Sequence, residues 1–295
     1  MTILVIGATG FIGTELTKIG RAAGHRMIGC GRSAWEGKNK ALFPEKEDYW
    51  CTAEACLPAA LLQQADCLVL LAAKRPYPGF CFEDYAENVA VAQRYMQLAM
   101  ENGLKNIVFA SSQSVYTGDE RPWKEEVFST PVNLYGASKA AAEHLGLYYS
   151  AAGRLCFKSL RFAHVIGAGE RKGYLINTLI DNAREKKPQV VFGSGAQKRQ
   201  YVYVKDVAAA ILAAAEKREI SGVFNIAMPA AVSNLELAEV VNASFDNVGN
   251  LIHDYSRAMT GSDDEMSVEK AERVLGFRAR YGIRETFDDL AKEIG

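Results

Sequence analysis

The first 165 residues predict a doubly wound α/β fold, a parallel sheet with helices on both faces. Short apolar or β-branched runs alternate with longer helical patterns, and the runs are continuously apolar rather than alternating with polar residues. The first run also leads straight into a glycine-rich turn. Continuous apolar runs mean strands buried on both faces, and right-handed crossovers then carry the chain to either side of the sheet.

Residues 3–6 read as the first strand. Residues 10–23 follow as a helix, with Ile12, Leu16, Ile19 and Ala23 at helical spacing. "HRMIGC" is the second strand, and residues 67–73 and 106–112 are two more. Between those two lies a helix over 82–102, ended by Gly103. A further helix starts near Tyr135, and residues 157–166 form one more strand. Beyond residue 165 the alternation weakens: "YVYVKDVAAAILAAAEK" reads as a short strand entering a helix, and "VEKAERVLGF" as a helical pattern. The expected organisation is a dinucleotide-binding unit over 1–165 and a smaller substrate lobe over 166–295, interleaved with it. No internal repeat, low-complexity tract or linker interrupts the chain.

The formal net charge of −1 gives no global basic field for a nucleic-acid partner. The six cysteines, Cys30, Cys51, Cys56, Cys67, Cys81 and Cys156, form no CxxC and have no histidine cluster, so no metal site is expected. Cys30 and Cys67 sit in apolar runs, where a thiol acts as a small hydrophobe. No stretch approaches the roughly 20 apolar residues of a membrane span, and Met1 runs directly into "TILVIG" with no room for a signal peptide. A cytoplasmic setting is the expectation.

"GATGFIG" occupies residues 7–13, between the first strand and the first helix. In that context Gly7 permits the tight turn, Gly10 lets the backbone approach a pyrophosphate, and Gly13 lets the helix pack closely on the strand. The helix N-terminus then presents unpaired N–H groups to the anion. The GxxGxxG spacing is similar to that of the extended short-chain dehydrogenase/reductase superfamily, and resembles its NAD-dependent epimerase/dehydratase family in particular. "FASSQSVYTG", "YGASK", "RQYVYVKDVAAAI" and "VEKAERVLGF" carry the same resemblance, in the family's order. It implies a Rossmann domain and a sugar-nucleotide epimerase. Cofactor contacts are expected first from Gly7, Thr9, Gly10, Phe11, Ile12 and Gly13. Gly31, Arg32 and Ser33 would follow at the second strand, and Ala72, Ala73 and Ser111 at the next two. Tyr135, Lys139, Phe162 and His164 complete that set. Ala72 and Ala73 read equally as core packing. Asn88, at a position the family fills with Asn, reads equally as a polar residue on a solvated helix face.

Tyr135 and Lys139 stand four apart, on one face of a helix. A phenol is a poor base at neutral pH, and a neighbouring ammonium would draw its pKa down. Lys139 can also donate to a ribose hydroxyl. The resemblance implies Tyr135 as acid/base, Lys139 as tuner and Ser112 as the group orienting the substrate oxygen, with Ser114 as the alternative. Ser112, Ser114, Tyr135, Asn177 and Arg199 are the expected substrate contacts. Arg257 is the nearest candidate for a second diphosphate-binding arginine.

Four departures from the family pattern shape the expectation. An acidic residue about 20 positions beyond the glycines would bind the ribose 2′-hydroxyl of NAD. Gly31 stands there, with Arg32 and Ser33 behind it, which favours NADP over NAD. Gln113 and Ser114 occupy the Asp-Glu positions of the dehydrating members, which disfavours 4,6-dehydration. His164 replaces an Asn and reads either as a substrate contact or as a satisfied structural histidine. Only Arg199 fits a diphosphate clamp. The leading function is a sugar-nucleotide epimerase working through a transient keto intermediate. An NADPH-dependent reductase of a keto-sugar or other carbonyl compound comes next, and a non-catalytic NADP-binding protein third. A homodimer is expected through helix 82–102 and the helix holding "YGASKAAAEHLGLYY".

Overall fold

The computed structural model describes residues 1–52, 57–118, 121–127, 129–256 and 263–294. The amino-terminal part runs β1 (Thr2–Ile6), α1 (Phe11–Ala22), β2 (Arg26–Gly31), α2 (Gly37–Leu42), β3 (Tyr49–Cys51), α3 (Ala59–Gln63), β4 (Cys67–Leu70), α4 (Phe82–Glu101) and β5 (Asn106–Ser112). It continues with α5 (Leu134–Ala151), β6 (Cys156–Phe162), β7 (His164–Ile166), α6 (Leu175–Arg184), β8 (Gln189–Phe192), β9 (Lys198–Arg199) and β10 (Tyr201–Tyr203). The last elements are α7 (Val204–Glu216), β11 (Gly222–Ile226), β12 (Val232–Ser233), α8 (Asn234–Ser244), β13 (Leu251–Asp254) and α9 (Ile283–Ile294).

Seven strands form one parallel sheet in the order β11-β6-β5-β4-β1-β2-β3. β1 shows why its sequence is continuously apolar. Ile3 and Val5 point to one face, into a core with Leu16 of α1 and Val207 of α7. Leu4 and Ile6 point to the other, into a core with Met96 of α4 and Ala142 of α5. Both faces are covered, so neither alternate position tolerates a polar residue. Burial pushes the Cys30 and Cys67 thiols up to about 12, as expected of small apolar fillers.

The register brings the carboxyl ends of β2, β1 and β4 level, with Ile6 opposite both Cys30 and Leu70. The backbone N–H groups of Gly7 and Ala8 donate to Cys30 O, and those of Leu71 and Ala72 to Ile6 O. At this edge the winding reverses between β1 and β4, the place where open α/β sheets take ligands.

The structure departs from the expected elements in three ways. The run 157–166 is not one strand. β6 ends at Phe162, Ala163 N–H donates to Ile226 O, and β7 turns away to pair with β10. The chain beyond 165 does not all leave the sheet either, because β11 returns beside β6 and α7 packs on α1. "VEKAERVLGF" is helical as expected, but over Ala271–Leu275 the helix is π-type rather than α, ended by left-handed Gly276 at φ 69°. The rest of the carboxyl-terminal part is three small strand pairs, β7–β10, β8–β13 and β9–β12, around a separate core with α6, α8 and α9. No described helix is long and apolar enough to cross a membrane.

Candidate active site

The glycine loop is built for close approach. Gly7 sits at φ +92°, and a Cβ there would lie 3.0 Å from Ala72 N. A Cβ on Gly13 would lie 2.4 Å from Gly7 O and 2.7 Å from Ala8, so only glycine brings the start of α1 against the strand end. Gly10 caps α1 in extended conformation and is exposed, and no acidic residue occupies the helix's first turn. The helix N-terminus therefore faces open space with its dipole uncompensated, as an anion site requires. Thr9 lies at this edge, half-buried. Phe11 and Ile12, also half-buried, pack against the core of the carboxyl-terminal part.

At the end of β2, Gly31 is buried, and a Cβ on it would lie 2.5 Å from the Tyr49 hydroxyl and 3.0 Å from Thr9 Oγ1. Tyr49 is buried, donates to Ser33 O at 2.7 Å and accepts from Asn39 Nδ2 at 3.2 Å. Tyr49 thus fills the space a carboxylate at position 31 would need, while Arg32 and Ser33 are exposed beside it. Ala72 and Ala73 lie just beyond β4, half-buried, in the loop rather than in the strand. Ser111 is buried, and its hydroxyl has no hydrogen-bond partner among the described residues. Phe162 belongs to the hydrophobic core and is 4% exposed, so its side chain does not line the edge.

Ser112 ends β5 and caps a short 3-10 turn, Gln113–Val115. Its Oγ accepts from Ser114 N at 3.1 Å and donates to Ser114 Oγ at 3.1 Å. Asn133 caps α5 through Gly136 N, so the helix begins one residue before Tyr135. Burial pushes the Tyr135 phenol up to about 12, against the opposing pulls of the Arg75 guanidinium and the Ser112 hydroxyl. Lys139 is 4% exposed, and burial lowers it to about 8 against the pull of Glu143. Its Nζ donates to Ala110 O at 2.7 Å and lies 5.8 Å from the Tyr135 ring centroid. A backbone carbonyl thus holds the Lys139 ammonium, and the Arg75 guanidinium also pulls on the phenol.

Several other expectations change. Asn88 is buried, not on a solvated face: its Oδ1 accepts from Lys74 N, while its Nδ2 donates to Lys74 O and Ser138 Oγ. It ties the loop after β4 to α5. His164 Nε2 is buried 3.3 Å from Glu170 Oε1, with no hydrogen bond among the described residues. Asn177 donates to Arg171 O at 3.0 Å and so secures the turn before α6. Arg199 lies in the β9–β12 pair, and burial raises both Tyr201 and Asp264 against the pull of its guanidinium; its Nε has no hydrogen-bond partner among the described residues. Arg257 and Cys56 lie outside the described residues.

The sequence reading missed Glu143, Arg161 and Arg75. Glu143, 1% exposed, forms a buried pair with Arg161 at 2.7 Å and accepts from Ser159 at 2.9 Å. The signal was present: a charged residue inside the apolar run "FKSLRF" needs a buried partner.

A parallel sheet with a glycine cradle at its switch point and a Ser–Tyr–Lys set beside it defines an enzyme of the short-chain dehydrogenase type. Residues 3–227 match the model of the NAD dependent epimerase/dehydratase family, and the chain belongs to that family. It is 28% identical to an uncharacterized UDP-glucose epimerase, YtcB, of Bacillus subtilis, over 100% of this chain and 97% of the relative. It is 27% identical to the UDP-glucose 4-epimerase of Streptococcus mutans, covering 100% and 95%. Among solved structures, UDP-N-acetylglucosamine 4-epimerase from Bacillus cereus superposes with TM-score 0.87 at 29% identity, covering 100% and 96%. MoeE5 in complex with UDP-glucuronic acid and NAD gives 0.83 at 29%, covering 99% and 98%.

Proposed function

We propose that the protein epimerises a nucleotide-sugar through a transient keto intermediate, using a nicotinamide dinucleotide. The observation that carries this is the placing of Ser112 and Tyr135 beside the Gly7–Gly13 cradle at one sheet edge, on a chain whose full-length relatives are UDP-sugar epimerases. The cradle fits the cofactor's pyrophosphate, because no Cβ could stand at Gly7 or Gly13 without striking backbone. When bound, the nicotinamide supplies acceptance and return of a hydride. Tyr135 takes the proton of the sugar hydroxyl and later returns it, and Ser112 donates to the same oxygen to hold it in line. Lys139, fixed on Ala110 O, presents its remaining donors to the cofactor ribose. Burial holds the Tyr135 phenol high, so proton removal depends on positive charge nearby, the role given to Lys139.

The 2′ end is read as NADP-preferring. Tyr49 excludes a carboxylate at position 31, and the exposed Arg32 offers a guanidinium to a 2′-phosphate. That same feature favours the second reading, a reductase that releases its NADP after each cycle. The exposed Phe82 and Tyr148 on the packed pair α4 and α5 support a homodimer through those helices.

The test is product analysis by NMR after incubation with UDP-glucose, UDP-N-acetylglucosamine and UDP-glucuronate, each with oxidised cofactor. An epimerised sugar formed by the protein and not by Tyr135→Phe is the expected result. Stoichiometric consumption of NADPH with a keto-sugar, and no epimer from any nucleotide-sugar, would replace it with the reductase reading.

A further inference from the structure

Glu170 lies in the turn after β7 with its side chain only 2% exposed, and neither carboxylate oxygen has a hydrogen-bond partner among the described residues. A buried, unbonded carboxylate is costly and persists where the surrounding groups need its charge. Two cation-capable groups converge on it: His164 Nε2 at 3.3 Å and Arg75 Nη2 at 3.7 Å. Arg75 is 40% exposed, its guanidinium lies 5.3 Å from the centroid of the Tyr174 ring, and among the described residues it makes no hydrogen bond. Tyr174 packs edge-on against His164 and donates to Pro76 O, pinning the Arg75 loop over the site. The guanidinium is thus held from behind by Glu170, and the loop that carries it reaches the start of α5, where the Phe80 ring stands edge-on 6.1 Å from the Tyr135 ring.

We propose that Arg75, positioned by Glu170, is the specificity residue for a sugar carrying a carboxylate next to the reacting carbon, so that the substrate is a nucleotide-linked uronic acid. The inference rests on the nucleotide-sugar reading. A group beside Tyr135 meets the substituents flanking the carbon whose hydroxyl Tyr135 deprotonates. The diphosphate is attached at the anomeric carbon and so lies on the far side of the sugar ring. A planar guanidinium with free donors matches a carboxylate bidentately, whereas a sugar hydroxyl uses only one of them. Carboxylate, Arg75 and Glu170 then form an alternating row of charges.

Calorimetric titration of the cofactor-loaded protein with UDP, UDP-glucose and UDP-glucuronate tests this. UDP-glucuronate is expected to bind about ten-fold or more tightly than UDP-glucose, the scale of one charge-assisted hydrogen-bonded contact. Arg75→Met removes that preference while UDP affinity stays unchanged, and Arg75→Lys restores part of it. Glu170→Gln weakens UDP-glucuronate selectively, whereas a merely structural role would weaken all three. Equal binding of the two sugars, or preference for UDP-glucose, overturns the proposal and leaves the nucleotide-sugar reading intact. Failure of UDP itself to bind, with cofactor retained, overturns both.

Discussion

The carboxyl edge of the parallel sheet and the small carboxyl-terminal strand pairs are built differently. At the sheet edge, β1, β2 and β4 end in register, and backbone hydrogen bonds from Gly7, Ala8, Leu71 and Ala72 lock the loops together. In the carboxyl-terminal part, two- to four-residue strands pair across long separations, and both carboxylate oxygens of Glu170 and Arg199 Nε have no hydrogen-bond partner among the described residues, whereas at the sheet edge the unpartnered groups are the neutral Thr14, Ser111 and Gln113 side chains. The rigid edge suits chemistry that every member of such a fold shares. The loosely satisfied side suits selection of one substrate, since its polar groups are completed only by the right ligand.

The comparison predicts large effects at the edge and small or selective ones opposite. Tyr135→Phe should lower turnover roughly a thousand-fold with little change in substrate affinity, read by steady-state kinetics. Gly10→Val should weaken cofactor binding by about a hundred-fold or more in a fluorescence titration, as expected where side-chain atoms displace an anion from a helix N-terminus. Its fold should survive, because a Cβ there meets only Gly7 O at 3.2 Å. A cofactor affinity unchanged in Gly10→Val would break the account of the edge. Lys139 should titrate near pH 8 in the cofactor-free protein rather than near 10.5, followed by NMR of its side-chain carbons. Its lowered pKa means that protonation favours unfolding, so its burial destabilises the fold below about 8 and ceases to do so as the pH rises through 10.5. Arg32→Ala should cost about ten-fold in NADP affinity and leave NAD unaffected, on the scale of one charge-assisted contact. Asn177→Ala should change substrate affinity less than about two-fold, because its amide is already engaged by Arg171 O at the start of α6. A larger effect would make Asn177 a substrate contact.

What was legible in the sequence follows the same division. β1, α1 and β5 were readable because both faces of each strand are buried and the patterns are local. The neighbouring positions of Ser112, Tyr135 and Lys139 were readable because one lies at a strand end and the other two on a single helix face. The end of the strand at Phe162 was not, since "FAHVI" stays apolar and only the distant Tyr201–Tyr203 draws β7 away. Gly31 was recognised as a missing acid, but Tyr49, which fills that space, lies on a neighbouring strand. Arg75 and Glu170 come together from loops 95 residues apart, which no periodicity records.

The central claim is that the Gly7–Gly13 edge holds a nicotinamide dinucleotide for Tyr135 to work with. Its most direct test is to denature the purified protein, identify any released nucleotide, and titrate the cofactor-free protein with NADP and NAD. One dinucleotide per chain, retained or rebound, with NADP the tighter of the two, is the predicted result. Tighter NAD would overturn the role given to Arg32, and no binding of either would contradict the account of the glycine edge itself.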